Sequence, residues 1–188
     1  MTASIPTLTP ASQAVSVPRR PTSGRVGAIL TAVAGIALGV VTLTGPSVPD
    51  QHWGTRGAVV NALGLVAFAA MALALQLVPD LFAPARVGRL GQRVAQTGLL
   101  LMVVESVASQ INGGNTLGFL FMLGLLLSLV GLGLIAGDGL HRRCWLAPLP
   151  FLAMLFGVAA GDHGGFLVLG LAWAGLALLN PVTGEPAR

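Results

Sequence analysis

One residue in this sequence has a position that topology alone does not explain. Glu105 is the only acidic residue inside an apolar run. A carboxyl group within a bilayer is costly, so it faces the bundle interior or a wet cavity, where it can serve as a general acid, a proton carrier or a hydrogen-bonding tie. Met102, Glu105, Ser109 and Asn112 share one helical face by their spacing, with Ser106 and Gln110 flanking it. Glu105 lies seven residues before Asn112, roughly 10 Å from the outer end of its helix at 1.5 Å per residue. Asn61 sits near the same end of the preceding apolar run. Asp50, His52 and Arg56, then Asn115, then Asp162 and His163, occupy the loops on that side. The expectation is a polar pocket opening outward, with Glu105 at its floor and Asn61, Ser109, Asn112, His52, Asp162 and His163 around it. The alternative is structural: Glu105 hydrogen-bonds Asn61 and ties two helices together.

Other chemistries lack their residues. All ten basic residues are arginine, which removes the lysine Schiff base of retinal and pyridoxal proteins and the lysine of the phosphate-binding loop. A single cysteine, Cys144, excludes a disulfide scaffold, redox pairs and cysteine clusters for zinc or iron–sulfur. His52 and His163 come from different loops without ligand spacing, so no metal and no cofactor is expected. Ser106 and Ser109 neighbour Glu105 with no adjoining histidine; hydroxyls in such helices usually bond their own backbone. A basic balance of 10 to 6 invites a nucleic-acid reading. No basic patch is interleaved with aromatics, however, so no nucleic-acid partner is expected.

The elements that position these groups follow from composition. Only 9% of the 188 residues are charged and 54% are hydrophobic, against about 25% charged in a soluble domain. Too little charge exists to cover a water-soluble globule of this size, and the fold class is all-α, a polytopic helical membrane protein. Six apolar runs, at 26–44, 58–78, 94–111, 117–136, 144–160 and 165–180, predict six transmembrane helices. The last two are short, and a re-entrant hairpin is the alternative there. The turn residues Gly161-Asp162-His163-Gly164-Gly165 favour two separate spans. Residues 1–24, rich in Ser, Thr and Pro, predict a disordered tail; 25–180 form the bundle, and 181–188 a short second tail. The first run is too long for a signal-peptide core and predicts a retained span.

The arginines orient the bundle. Arg19, Arg20, Arg25, Arg86, Arg89, Arg93, Arg142, Arg143 and Arg188 fall on one side of a six-span chain, and Arg56 alone on the other. Positive charge resists translocation, so both termini are expected in the cytoplasm, in the inner membrane of a bacterium. Trp53 and Trp145 fall at opposite interfaces and Trp173 in the core. Gln76 and Gln96, near the inner ends of their spans, are expected to pair with each other or with headgroups.

Small residues recur at helical spacing: Gly27, Thr31, Gly35 and Gly39 in the first span, Ala153, Gly157 and Gly161 in the fifth, and Gly170 and Ala174 in the sixth. Such ridges let helix backbones approach closely, either within the bundle or across a homodimer face; packing within the bundle is favoured. His141-Arg142-Arg143 is read as topological rather than as a lipid-headgroup site.

Arg86-Val87-Gly88-Arg89-Leu90-Gly91, the Leu140–Pro148 connection with its His141-Arg142-Arg143-Cys144-Trp145, and Gly170-Leu171-Ala172-Trp173-Ala174-Gly175 together resemble a broad group of small six-span membrane proteins of high-GC bacteria. The resemblance covers roughly residues 25–180 and implies a fold without a particular activity. In size, span number and membrane carboxylic acid the chain also resembles the small integral-membrane terpene cyclases. That resemblance implies an apolar, aromatic-lined pocket with a protonating acid, against which stand an aromatic content of 5% and the absence of tyrosine. The leading expectation is a non-enzymatic membrane protein acting by contact with membrane lipids, a protein partner or a second copy of itself. The alternatives are a membrane enzyme on a lipid or isoprenoid with Glu105 as general acid, and a small proton-coupled carrier.

Overall fold

The computed structural model describes residues 22–45, 54–81 and 83–179, and all the regular structure among them is helical. The tail expectations for 1–21 and 181–188, and the residues Asp50, His52 and Trp53, lie outside the described residues. The elements are α1 (Thr22–Leu43), α2 (Thr55–Ala74), α3 (Val78–Leu81), α4 (Arg86–Asn112), α5 (Gly118–His141), α6 (Leu149–Ala159) and α7 (Gly165–Leu179). Single 3-10 turns at Leu75–Leu77 and Gly161–His163 join α2 to α3 and α6 to α7. The segments Ser23–Leu43, Thr55–Leu77, Arg86–Asn112 and Gly118–His141 are long and apolar enough to cross a membrane, and α6 and α7 are shorter apolar helices. Large apolar side chains such as Val33, Leu100, Phe119, Leu126, Leu171 and Leu178 are exposed on the outside. The long apolar helices and this surface mark a helical membrane protein.

Neighbour contacts run α1–α2–α4–α5–α6–α7 and return from α7 to α1, closing a ring. Met71, Leu99, Met102, Leu132, Met154, Leu169 and Trp173 fill its core. In lipid no hydrophobic drive joins the helices, so close van der Waals contact must. The small residues supply it. On α1, a Cβ at Gly27 would lie 2.5 Å from the Ala74 backbone nitrogen of α2, and one at Gly39 2.5 Å from that of Leu167 on α7. Gly35 meets Gly170 of α7 in the same way. The ridges expected on the first and last spans therefore pack within one chain.

The tightest seam is between α4 and α5. Gly88, Gly91, Ala95 and Gly98 on α4 face Gly124, Ser128, Gly131 and Asp138 on α5. Three- and four-residue steps on both helices keep one stripe in register along an interface. A Cβ at Gly98 would lie 2.5 Å from the Gly124 carbonyl oxygen, and one at Gly91 2.7 Å from that of Gly131. Hydroxyls in these seams bond their own helix: Thr31 donates to the Gly27 carbonyl and Ser128 to that of Gly124, both at 2.8 Å.

α4 starts at Arg86, well before the expected apolar run, because its first turns are held from outside the helix. The buried side chain of Asp138 accepts from the Ala85 backbone N–H at 2.7 Å and pairs with Arg142 at 3.3 Å. A carboxylate at a helix N-terminus offsets the orphan N–H groups there. At the far end of α2, Pro79 has no N–H for the Leu75 carbonyl four residues back, and the chain tightens into the 3-10 turn. The Leu75 carbonyl accepts instead from the Val78 N–H within the turn and, at 2.9 Å, from Gln92 of α4. Gln96 donates to the Ala72 carbonyl at 3.2 Å, and Gln76 accepts from Ser23 of α1 at 2.6 Å. The glutamines thus pair with neighbouring helices, not with each other. The Ser23 bond falls in the first turn of α1, which takes in Thr22 to Gly24 from the stretch expected as tail.

α6 is 11 residues long, about 16 Å at 1.5 Å per residue, and shorter than the run at 144–160. The cause lies before it. α5 ends with Arg143 at φ 60° and a bond from the Cys144 N–H to the Gly139 carbonyl at 2.9 Å, a left-handed reversal that normally takes glycine. Turns through Trp145–Pro148 follow, and Pro148 precedes the first helical residue. Trp145 is 83% exposed and Trp173 1% exposed, as an interfacial and a core indole should be.

Candidate functional site

The one arginine expected on the outer side has a structural task. Arg56, in the first turn of α2, donates to the Val41 carbonyl at 2.7 Å and to the Thr44 hydroxyl at 3.0 Å. It thereby caps the C-terminal end of α1, where carbonyls lack partners and a cation is favoured.

Inside the same end of the ring lies a cavity of about 350 Å³, at the lower end of the range for ligand pockets of about 300–1,000 Å³. Leu38 of α1, Gly64 and Phe68 of α2, Glu105 and Ser106 of α4, Phe121 and Met122 of α5, Val158 of α6 and Phe166 of α7 line it, so all six helices of the ring contribute. The lining positions lie near the C-terminal ends of α1, α4 and α6 and near the N-terminal ends of α2, α5 and α7. The helices therefore alternate in direction around it. Leu38, Gly64, Phe68, Glu105 and Ser106 are buried; Asn115, Gly118, Met122 and Val158 are exposed and mark the mouth, on the side of α5 and α6.

The walls are mainly apolar, with a polar patch made by Glu105, Ser106, Asn61 and Asn115. Glu105 is 4% exposed. Ser109 donates to its Oε1 at 2.5 Å and is approached by the Thr116 backbone N–H at 3.3 Å. The loop after α4 is thereby coupled to the carboxyl group. Asn61 takes other partners: its Nδ2 donates to the Ser106 carbonyl and to Gln110 Oε1, both at 2.8 Å. The α2–α4 tie exists, then, but runs beside Glu105 rather than through it.

Of the residues expected around the pocket, Glu105 and Asn61 are on its wall. Ser109 is fully buried behind Glu105. Asn112 is exposed and donates to the Ala108 carbonyl of its own helix at 3.0 Å. Asp162 and His163 are exposed in the turn before α7, where Gly161 reaches the cavity. His52 lies outside the described residues. Among the described residues no three His, Cys, Asp or Glu side chains gather as a metal site would require.

Composition could not show where the few aromatics lie. Phe68, Phe121 and Phe166 come from three helices to one cavity, and the first two meet edge to face with centroids 6.0 Å apart. Gly64 borders the same cavity, and no neighbouring helix needs it to be small: a Cβ there would meet only the Phe68 ring edge, at 3.6 Å. No protein-family model, curated protein or solved structure matches the chain.

Proposed function

We propose that this protein is a six-span protein of a bacterial cytoplasmic membrane, with both termini in the cytoplasm, that holds a lipid-like molecule in its outer-half cavity. The observation that carries the reading is a mainly apolar cavity walled by six helices around one buried carboxyl group. An apolar guest gains from such walls, and a few placed polar groups orient it. The apolar Met122 of α5 and Val158 of α6 line the cavity and are exposed, which supports a guest entering sideways from the bilayer.

Six spans are supported by the way the short helices pack. Phe151 of α6 lies against Gly133 of α5, while Val158 shares the cavity with Phe121 and Met122. α6 and the turns before it therefore run antiparallel along α5. Arg86, Arg89, Arg93, Arg142 and Arg143 lie at the end away from the cavity, which supports a cytoplasmic position for that end.

Native mass spectrometry of the protein extracted in its own membrane lipid tests the guest. A retained mass of lipid or isoprenoid size is expected; protein that is always empty and gains no thermal stability from added lipid would sink the reading. Orientation has a separate test in Cys144, the only thiol. A membrane-impermeant maleimide is expected to label it only after cells are permeabilised, and labelling of intact cells would reverse the topology.

A second reading, an enzyme acting on the lipid or isoprenoid with Glu105 as general acid, is favoured by the three phenylalanines at the cavity, whose ring faces stabilise cationic intermediates. It predicts a guest that is chemically converted on incubation, read as a new chromatographic retention and fragmentation pattern because an acid-started rearrangement conserves mass, where simple holding predicts an unchanged guest.

A further inference from the structure

The polar end of the guest can be read from what the cavity wall offers it, given the lipid-holding function proposed above. Glu105 has one oxygen engaged by Ser109; among the described residues its other oxygen, Oε2, has no hydrogen-bond partner. The residue is only 4% exposed and lies on the cavity wall, so this acceptor is available only to a molecule inside the cavity. The Asn61 amide is already used, since both of its hydrogens are taken by the Ser106 carbonyl and Gln110, which leaves the neutral Ser106 hydroxyl and Asn115 amide as the other polar groups on the wall.

Among the described residues no cationic side chain lines the cavity. Arg56 is spent on the end of α1. The other described arginines, Arg25, Arg86, Arg89, Arg93, Arg142 and Arg143, belong to the far ends of their helices. A phosphate brought to this wall would lose its water, gain no counter-ion and face a carboxyl group; an anion buried in that way is strongly penalised. A hydroxyl group loses little water and donates to Oε2.

We propose that the cavity selects amphiphiles whose polar end is an uncharged hydroxyl, a long-chain or isoprenoid alcohol, and rejects the corresponding phosphates and capped ethers. Glu105 is the positioning acceptor for that hydroxyl, and the phenylalanine-rich wall takes the tail.

The test is a competition on the full-length protein in nanodiscs. Dodecanol, its methyl ether and dodecyl phosphate are offered in equal amounts and the bound masses are read by native mass spectrometry. The tails are the same, so the ratios report the head alone. The alcohol is expected to exceed each of the others by about tenfold, the value of one buried hydrogen bond. Glu105→Leu is expected to bring the alcohol-to-ether ratio to about one, whereas Glu105→Gln, which keeps an acceptor, holds it within about threefold of the natural protein. The ratio is internal to each sample, so a variant with less folded protein still reports it. Ether or phosphate bound as well as alcohol by the natural protein would overturn the inference and leave the lipid-holding reading intact, as would an unchanged ratio in Glu105→Leu. If none of the three binds, the lipid-holding reading itself fails.

Discussion

Alanine in place of Gly131 is expected to cost the protein about 3 kcal/mol, the upper end of what overpacking a filled interior does. A single methyl group is the whole change, yet it would be driven into the Ala95 backbone nitrogen and the Gly91 carbonyl oxygen, which lies 2.5 Å from the added carbon. Both obstacles are backbone, so no side chain can rotate aside. α4 and α5 must separate along the seam that makes the ring's closest contact, and dispersion falls steeply with a gap of even half an ångström or so. The melting temperature in detergent and the monodisperse fraction in size-exclusion chromatography measure this. Gly137→Ala, on the same helix with nothing within 4 Å of its Cβ, is the control. It should hold or gain stability by up to about 1 kcal/mol through helix propensity. Equal behaviour of the two variants would mean that α4 and α5 do not meet along this seam.

The second large effect is expected at Gly64, in the opposite direction for stability. Leucine there meets only the edge of Phe68 at its first carbon and extends into the cavity. Helix propensity and the filled void both favour it, by about 1 kcal/mol or more together. Its cost is functional: the space for the guest's tail is lost, and retained lipid should fall more than tenfold while the melting temperature rises or holds. Gly64→Ala, with one carbon instead of four, should keep the guest. A leucine variant that is both stable and fully loaded would place the ligand somewhere other than this cavity.

The difference between Gly64 and Gly131 marks a limit of what sequence spacing can specify. Both are glycines in apolar helices, in a chain with 26 of them, and their spacing does not say which one meets a backbone and which one borders a void. The stripe in α1 is legible because Gly27, Gly35 and Gly39 repeat at multiples of four in one run. The α4–α5 stripe is not, because its three- and four-residue steps are shared between two helices and have meaning only once the two are paired. Asp138 is hidden for a related reason. It follows an apolar run next to arginines, where an acid needs no explanation, and its bond to the Ala85 N–H across 53 residues belongs to tertiary structure. Asn61 is legible as a polar group at the depth of Glu105. Its partners are not, since a displacement of one helical turn decides between the Glu105 carboxyl and the Ser106 carbonyl with Gln110.

The sequence by itself determined the solvent and the rough plan of this protein. A chain with so few charges must leave apolar surface outside, apolar runs of bilayer length must become helices because lipid satisfies no backbone group, and clustered arginines bias which ends stay together. It also singled out Glu105, because a carboxyl group in an apolar run has no topological reason to be there. Tertiary structure alone decided that the site is an apolar cavity with a polar patch rather than a polar pocket. That depends on which faces six helices turn inward. It brought Phe68, Phe121 and Phe166 to one wall and turned Asn112 back onto its own helix. It also left one oxygen of Glu105 without a partner among the described residues. Composition counts such groups, but only packing fixes their distances, and distance decides what a carboxyl group can bind.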